Sequence, residues 1–125
     1  MMDIGKKIKI ILSETFSSPS KSSFVAKQGS KSIILQEGGD YEGQDLRGID
    51  LRGARLDKIN LENADLSGAL LTAASLKNAN LKGAKLDGAE VSNADFTNAI
   101  TSDGKLMNVH VTIPPKGIDY EIKKD

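Results

Sequence analysis

The chain has 125 residues, which makes one domain the default, and 17 basic against 17 acidic residues, a formal net charge of zero. That balance excludes bulk attraction to nucleic acid or to an anionic membrane. No cysteine, no tryptophan, three Phe and two Tyr leave no disulfide framework or thiolate metal site, and too few large side chains for an ordinary core of this length.

The chain opens MMDIGKKIKIILSETF. Ile4, Ile8, Ile11, Leu12 and Phe16 share one helical face, with Asp3 as candidate N-cap. KIKIIL also alternates as a strand does, so helix and strand both stay open. The apolar part is short and interrupted for a signal peptide, and no small-residue cleavage site follows. No apolar run is long enough to span a bilayer. The cytoplasm is the default location, with an organelle lumen or secretion left open. The expected role of residues 1–16 is to cap the repeat array that follows. A basic amphipathic membrane anchor is the rival, disfavoured because Ile10 and Glu14 blur the two faces.

SSPSKSS, residues 17–23, reads as a polar linker. FVAKQGSKSIIL, residues 24–35, reads as a hairpin turning near Gln28-Gly29-Ser30. The GSKS within it lacks the earlier glycine and the Gly-Lys pair of a phosphate loop.

From about residue 40 the pattern changes. In SLKNANLKGAKLDGAE a leucine returns every five residues, at Leu76, Leu81 and Leu86, and alanine follows three places later, at Ala79, Ala84 and Ala89. A helix turns about 100° per residue, so a five-residue repeat drifts by about 140° and scatters the leucines. A straight strand sends residues five apart to opposite faces. The chain must therefore bend once per repeat. If each pentapeptide is a short β edge followed by a corner of about 90°, four repeats close a square, twenty residues make one coil, and coils stack at about 4.8 Å.

That register stacks inward positions as Leu61–Leu81, Leu46–Leu66–Leu86, Leu51–Leu71–Val91 and Leu56–Leu76–Phe96. Smaller columns include Ala54–Ala74–Ala94 and Ala64–Ala84, with Ala79 in the same class. Alanine suits a corner that brings backbone close to the axis, where a larger side chain would overpack. Ile49 and Ile59 near one end and Phe96 near the other read as plugs, and Tyr41 as an inward residue one repeat earlier.

The eleven blocks DLRGI DLRGA RLDKI NLENA DLSGA LLTAA SLKNA NLKGA KLDGA EVSNA DFTNA, residues 45–99, resemble the A-(D/N)-L-x-x repeat of pentapeptide-repeat proteins. The resemblance implies an all-β fold, a right-handed quadrilateral β-helix of about three coils. The chain then divides into an N-terminal flank (1–39), the β-helix (40–104), and a C-terminal strand with a loose tail (105–125). In the last part, Ile100 and Thr101 break the pattern and SDG at 102–104 reads as a turn. Met107, Val109, Val111 and Ile113 alternate as one strand, ended by Pro114-Pro115.

A coil packed with Leu and Ala leaves no cleft for an activated group, so no catalytic residue, cofactor or metal site is expected. The lone His110 reads as a surface residue. Asp45, Asp65, Lys85 and Lys105 form one outward column, and Glu42, Glu62 and Lys82 another. Each reads as a solvated, salt-bridged face rather than a calcium ladder. Asn60 over Asn80 reads as a hydrogen-bonded ladder.

The expected function is a non-enzymatic interaction module or scaffold whose partner is another protein, the chain acting as a monomer or weak dimer. No direct nucleic-acid binding is expected, and no membrane binding through residues 1–16. The resemblance also carries a DNA-mimicking, gyrase-directed alternative. Residues 40–104 are only mildly acidic, eleven acids against seven bases, and Arg47, Arg52, Arg55 and Lys58 girdle the first coil. A secreted effector is the second alternative, from the serine-rich stretch 13–23.

Overall fold

The computed structural model describes residues 23–124. The helix-or-strand segment 1–16 and nearly all of the polar linker lie outside the described residues. Every regular element among the described residues is a β-strand.

Strands β1 (Ser23–Gln28) and β2 (Lys31–Gln36) form an antiparallel hairpin. Its two-residue turn is Gly29-Ser30, with Gly29 at φ 62°, a conformation that glycine adopts without steric cost. The hairpin buries Ala26 and Leu35 in the common core. It also supplies backbone partners to the first repeats. Asp50 N–H donates to the Lys27 carbonyl at 2.8 Å, and Gln28 Nε2 donates to the carbonyls of Asp45 and Arg47, each at 3.0 Å. The hairpin thus covers an edge that would otherwise invite another strand.

From Asp40 onward the backbone pairs in parallel with itself at a stride of twenty residues. The bridges run Asp40–Asn60–Asn80, Asp45–Asp65–Lys85, Asp50–Leu70–Glu90 and Arg55–Ser75–Asp95. Strands β3 (Asn80–Leu81) and β4 (Ile100–Thr101) continue the first series. Leu46 N–H donates to the Asp65 carbonyl at 2.8 Å, and Leu66 N–H to the Lys85 carbonyl at 2.7 Å. Each twenty-residue layer therefore satisfies the backbone of the next.

The bend within each pentapeptide is a β-turn. Ala54 N–H donates back to the Leu51 carbonyl and Ala64 N–H to Leu61, both at 3.0 Å. The residue before each alanine has positive φ, as at Gly53 (72°) and Asn63 (60°). One positive φ at the third turn position is the type II signature, which selects Gly or Asn. Lys58 (63°) and Ala73 (62°) are the exceptions within the array.

The leucines that recur every five residues from Leu46 to Leu86, with Val91 and Phe96, are buried, as are Ile49, Ile59, Ala64, Ala74, Ala79 and Ala94, whereas Leu70 is half-buried. Ala84 is only half-buried. Tyr41 is buried, and its hydroxyl accepts the Gln36 N–H at 2.9 Å, tying the hairpin to the first layer.

The C-terminal expectation requires correction. Strand β5 (Lys105–Val109) is paired in parallel by β6 (Asp119–Ile122), so residues 119–122 are a strand and not a loose tail. Strict alternation also fails: Leu106 and Val109 are buried, Met107 is half-buried and Ile113 is exposed. Leu106 and Val109 keep the spacing of three that separates the two inward positions of each repeat. Stacking continues past residue 104, with His110 on Glu90 and Lys116 on Asp95. The last step is one residue longer than twenty, so the chain carries an extra residue after His110. Gly117 settles it there, because a Cβ would lie 2.5 Å from Thr97 Cα.

Candidate functional surface

The residue that opens each repeat does more than face solvent. The carboxylates of Asp45, Asp50, Asp65 and Asp95 accept the backbone N–H two residues on, at 3.0–3.2 Å. Asn60 and Asn80 accept in the same way. This is the Asx-turn, and it fixes the entry to the following β-turn. The signal for it, Asp or Asn ahead of Leu and Gly or Asn ahead of Ala, lies in the repeat but was read only as outward polarity.

Those hydrogen bonds leave their mark on ionisation. Hydrogen bonds from Arg47 hold Asp45 at about 2. Arg52 lowers Asp50, Ser67 lowers Asp65, and Thr97 lowers Asp95, in each case through a hydrogen bond to the charged form.

The predicted columns form in part. Asp45, Asp65 and Lys85 stack, but Lys105 departs into β5, where its ammonium bonds Glu121. The asparagines do not form a ladder with each other: Asn60 Nδ2 donates to Asp40 at 3.1 Å and Asn80 Nδ2 to Glu62 at 3.3 Å. His110 is exposed. Among the described residues no three His, Asp or Glu side chains gather as a metal site.

Charge is distributed unevenly around the stack. Arg47 and Arg52 are neutralised within their own repeats, each 2.7 Å from Asp45 or Asp50. The next column is different. Arg55, Ser75, Asp95 and Lys116 stack in line, and Lys58 N–H donates to the Lys77 carbonyl alongside, at 2.8 Å. Arg55, Lys58, Lys77 and Lys116 are exposed and form no ion pair among the described residues. The two carboxylates of this face accept hydrogen bonds, Asp57 from Ser75 Oγ and Lys77 N–H and Asp95 from Thr97, and Asp95 also feels the charges of Lys77 and Lys116. Four cations thus project from one face of the stacked layers, against two carboxylates.

A second feature interrupts the layers. In every other repeat from 43 to 98 the positive φ falls on the residue ending in 3 or 8; after Thr101 it falls one place late, on Gly104 at 71°. The chain swings outward there, and Gly83 N–H is met by Ser102 Oγ at 2.8 Å in place of a backbone carbonyl. A depression of about 330 Å³ opens beside Ala84, Lys85 and Leu86.

The sequence model of the family described as pentapeptide repeats matches in eight copies, over residues 45–69 and 64–100. Residues 45–100 are pentapeptide repeats. Among solved structures, the chain aligns with the pentapeptide-repeat protein Rfr23 from the cyanobacterium Cyanothece 51142. That alignment has 29% identity and a TM-score of 0.36, over 74% of this chain and 64% of that one. A pentapeptide-repeat protein from the Arabidopsis thaliana thylakoid lumen aligns at 28% identity and a TM-score of 0.34, over 66% of this chain and 63% of that one. The chain therefore spans less than two-thirds of either relative's length. No curated protein matches. Among the described residues no helix is long and apolar enough to cross a membrane.

Proposed function

We propose that the pentapeptide repeats wind as a right-handed quadrilateral β-helix of about three coils, continued by the segment after residue 100, and that the chain acts as a non-enzymatic interaction module. The twenty-residue parallel stride and the turn in each repeat support the winding. The observation that carries the function is the cationic face. Arg55, Lys58, Lys77 and Lys116 outnumber the two carboxylates of this face, Asp57 and Asp95, and no ion pair among the described residues ties them down, so a partner meets a net positive face. The partner that fits is another protein presenting an acidic surface, steered by charge complementarity. The chain itself works as a monomer or weak dimer.

The gyrase-directed DNA mimic needs a continuous acidic face, and Arg47 and Arg52 cancel Asp45 and Asp50. It stays second, with no inhibition of DNA supercoiling expected at micromolar protein. The secreted-effector reading rests on residues 13–23, of which only Ser23 is described.

The test is co-purification from the native host with the intact chain and with a Lys58→Glu/Lys77→Glu variant. The expected result is one stoichiometric protein, released as salt is raised and lost with the variant. Equal retention by the variant, or retention of nucleic acid, would overturn the reading.

A further inference from the structure

We propose that the depression at Lys85 is a second site, which binds an extended peptide segment by adding the backbone rung that the chain omits there. The proposal deepens the interaction-module reading at a surface separate from the cationic face.

The ladder is regular enough for its single gap to be located. At the leucine position, the N–H donates to the next layer at Leu46, Leu51, Leu56, Leu61, Leu66, Leu71 and Leu76, and again at Val91 and Phe96. At Leu86 it meets no partner among the described residues. At the residue before, Asp65 N–H reaches back to Gln44 and Lys85 N–H reaches back to Ala64, at 2.9 Å each. No backbone donor among the described residues returns to the Ala84 carbonyl. Lys105, the residue due above Lys85, pairs instead with Asp119 of β6. The late positive φ at Gly104 is the local cause of its departure.

An unpaired C=O at 84 and an unpaired N–H at 86, flanking one residue, are the two groups that one residue of a parallel strand satisfies. Both line the depression, and so does Thr101, whose hydroxyl oxygen is buried without a partner. A buried hydroxyl oxygen is costly to leave unpaired, and the open backbone pair at 84 and 86 offers a strand its two ladder hydrogen bonds, so a ligand that meets all three gains from each. The charges select the incoming residue. Asp65 already faces Lys85 from the layer below, and Lys85 has no ion pair within 4.0 Å among the described residues. An Asp seated above it repeats the same arrangement. The fitting partner is an extended segment with a central acidic residue.

The probe is the chain's own 64–68 sequence as a free peptide, acetyl-Ala-Asp-Leu-Ser-Gly-amide, titrated to millimolar concentration into the intact 15N-labelled protein. The Leu86 amide should shift downfield and gain protection from hydrogen exchange, while the Leu66 amide stays fixed. Methylating the peptide's Asp nitrogen should weaken binding about tenfold by deleting the donor to Ala84. Lys85→Glu should invert the preference toward a peptide with Lys in place of Asp, with unmoved Leu46 and Leu66 amides showing an intact fold. The proposal is overturned if the Leu86 amide is as protected as Leu66 before peptide is added, if it does not respond, or if the N-methyl peptide binds equally. A silent Leu86 together with a partner still held by the cationic face would remove this site and leave the interaction module standing.

Discussion

Ser75 Oγ donates to Asp57 Oδ1 across 2.5 Å, one layer to the next. The same oxygen accepts the Lys77 N–H at 2.9 Å. Where Asp or Asn opens a repeat it accepts that N–H itself; Ser75 instead donates, and an aspartate eighteen residues earlier takes its place. Asp57 is 7% exposed, so water cannot readily substitute. Asp57→Ala strands two donors and should lower stability by about 1–3 kcal/mol. Asp57→Asn, which keeps an acceptor, should cost less. Urea melts of the two variants check the ordering.

Leu76 and Lys77 are adjacent and face opposite ways, the first fully buried and the second exposed. Leu76→Asp buries a charge without a partner and should unfold the stack. Lys77→Gln should move stability by less than about 0.5 kcal/mol. Thermal melts showing equal tolerance would contradict the inward register.

Ala73 holds φ at 62° in a position its neighbours fill with Gly or Asn. A left-handed alanine costs roughly 1–2 kcal/mol, and glycine returns about 0.5–1 of that through its greater freedom in the unfolded chain. Ala73→Gly should therefore stabilise by up to about 1 kcal/mol, read as a higher denaturant midpoint at unchanged slope.

The lowered carboxyls set the acid limit. Asp45, Asp50, Asp65 and Asp95 hold protons less tightly in the fold than at their ordinary value of 3.8. Below that value the unfolded chain binds more protons, so stability rises with pH there. It should be level well above pH 3.8 and fall from there toward about 2, the value at which Asp45 itself protonates. These groups are solvent-exposed, so the loss is modest. Melting temperatures across that window should fall less in the Asp95→Ser variant, which has no depressed carboxyl at that position.

The inward column was readable because leucine and alanine recur at fixed spacing, and the reason is geometric: a five-residue period fits neither helix nor strand unless the chain bends each time. The hairpin was readable from Gly29-Ser30 between two apolar runs. The C-terminal segment misled because Met107, Val109, Val111 and Ile113 mimic simple alternation, whereas the burial of Leu106 and Val109 follows the repeat's own spacing. Nothing local marks β6 either, since Asp119–Ile122 becomes a strand only through the edge that β5 offers.

By itself the sequence determined the turn in every repeat, the residues that face inward and the twenty-residue stride, because each depends on sterics within five residues. Only the tertiary structure decided which polar groups find partners. Among the described residues Arg47 is paired and Arg55 is not, Asp57 serves a layer not its own, and the rung above Lys85 is missing. Those outcomes depend on what lies about twenty residues away in the next layer, and on the late turn at Gly104 after Thr101, which carries Lys105 out of line.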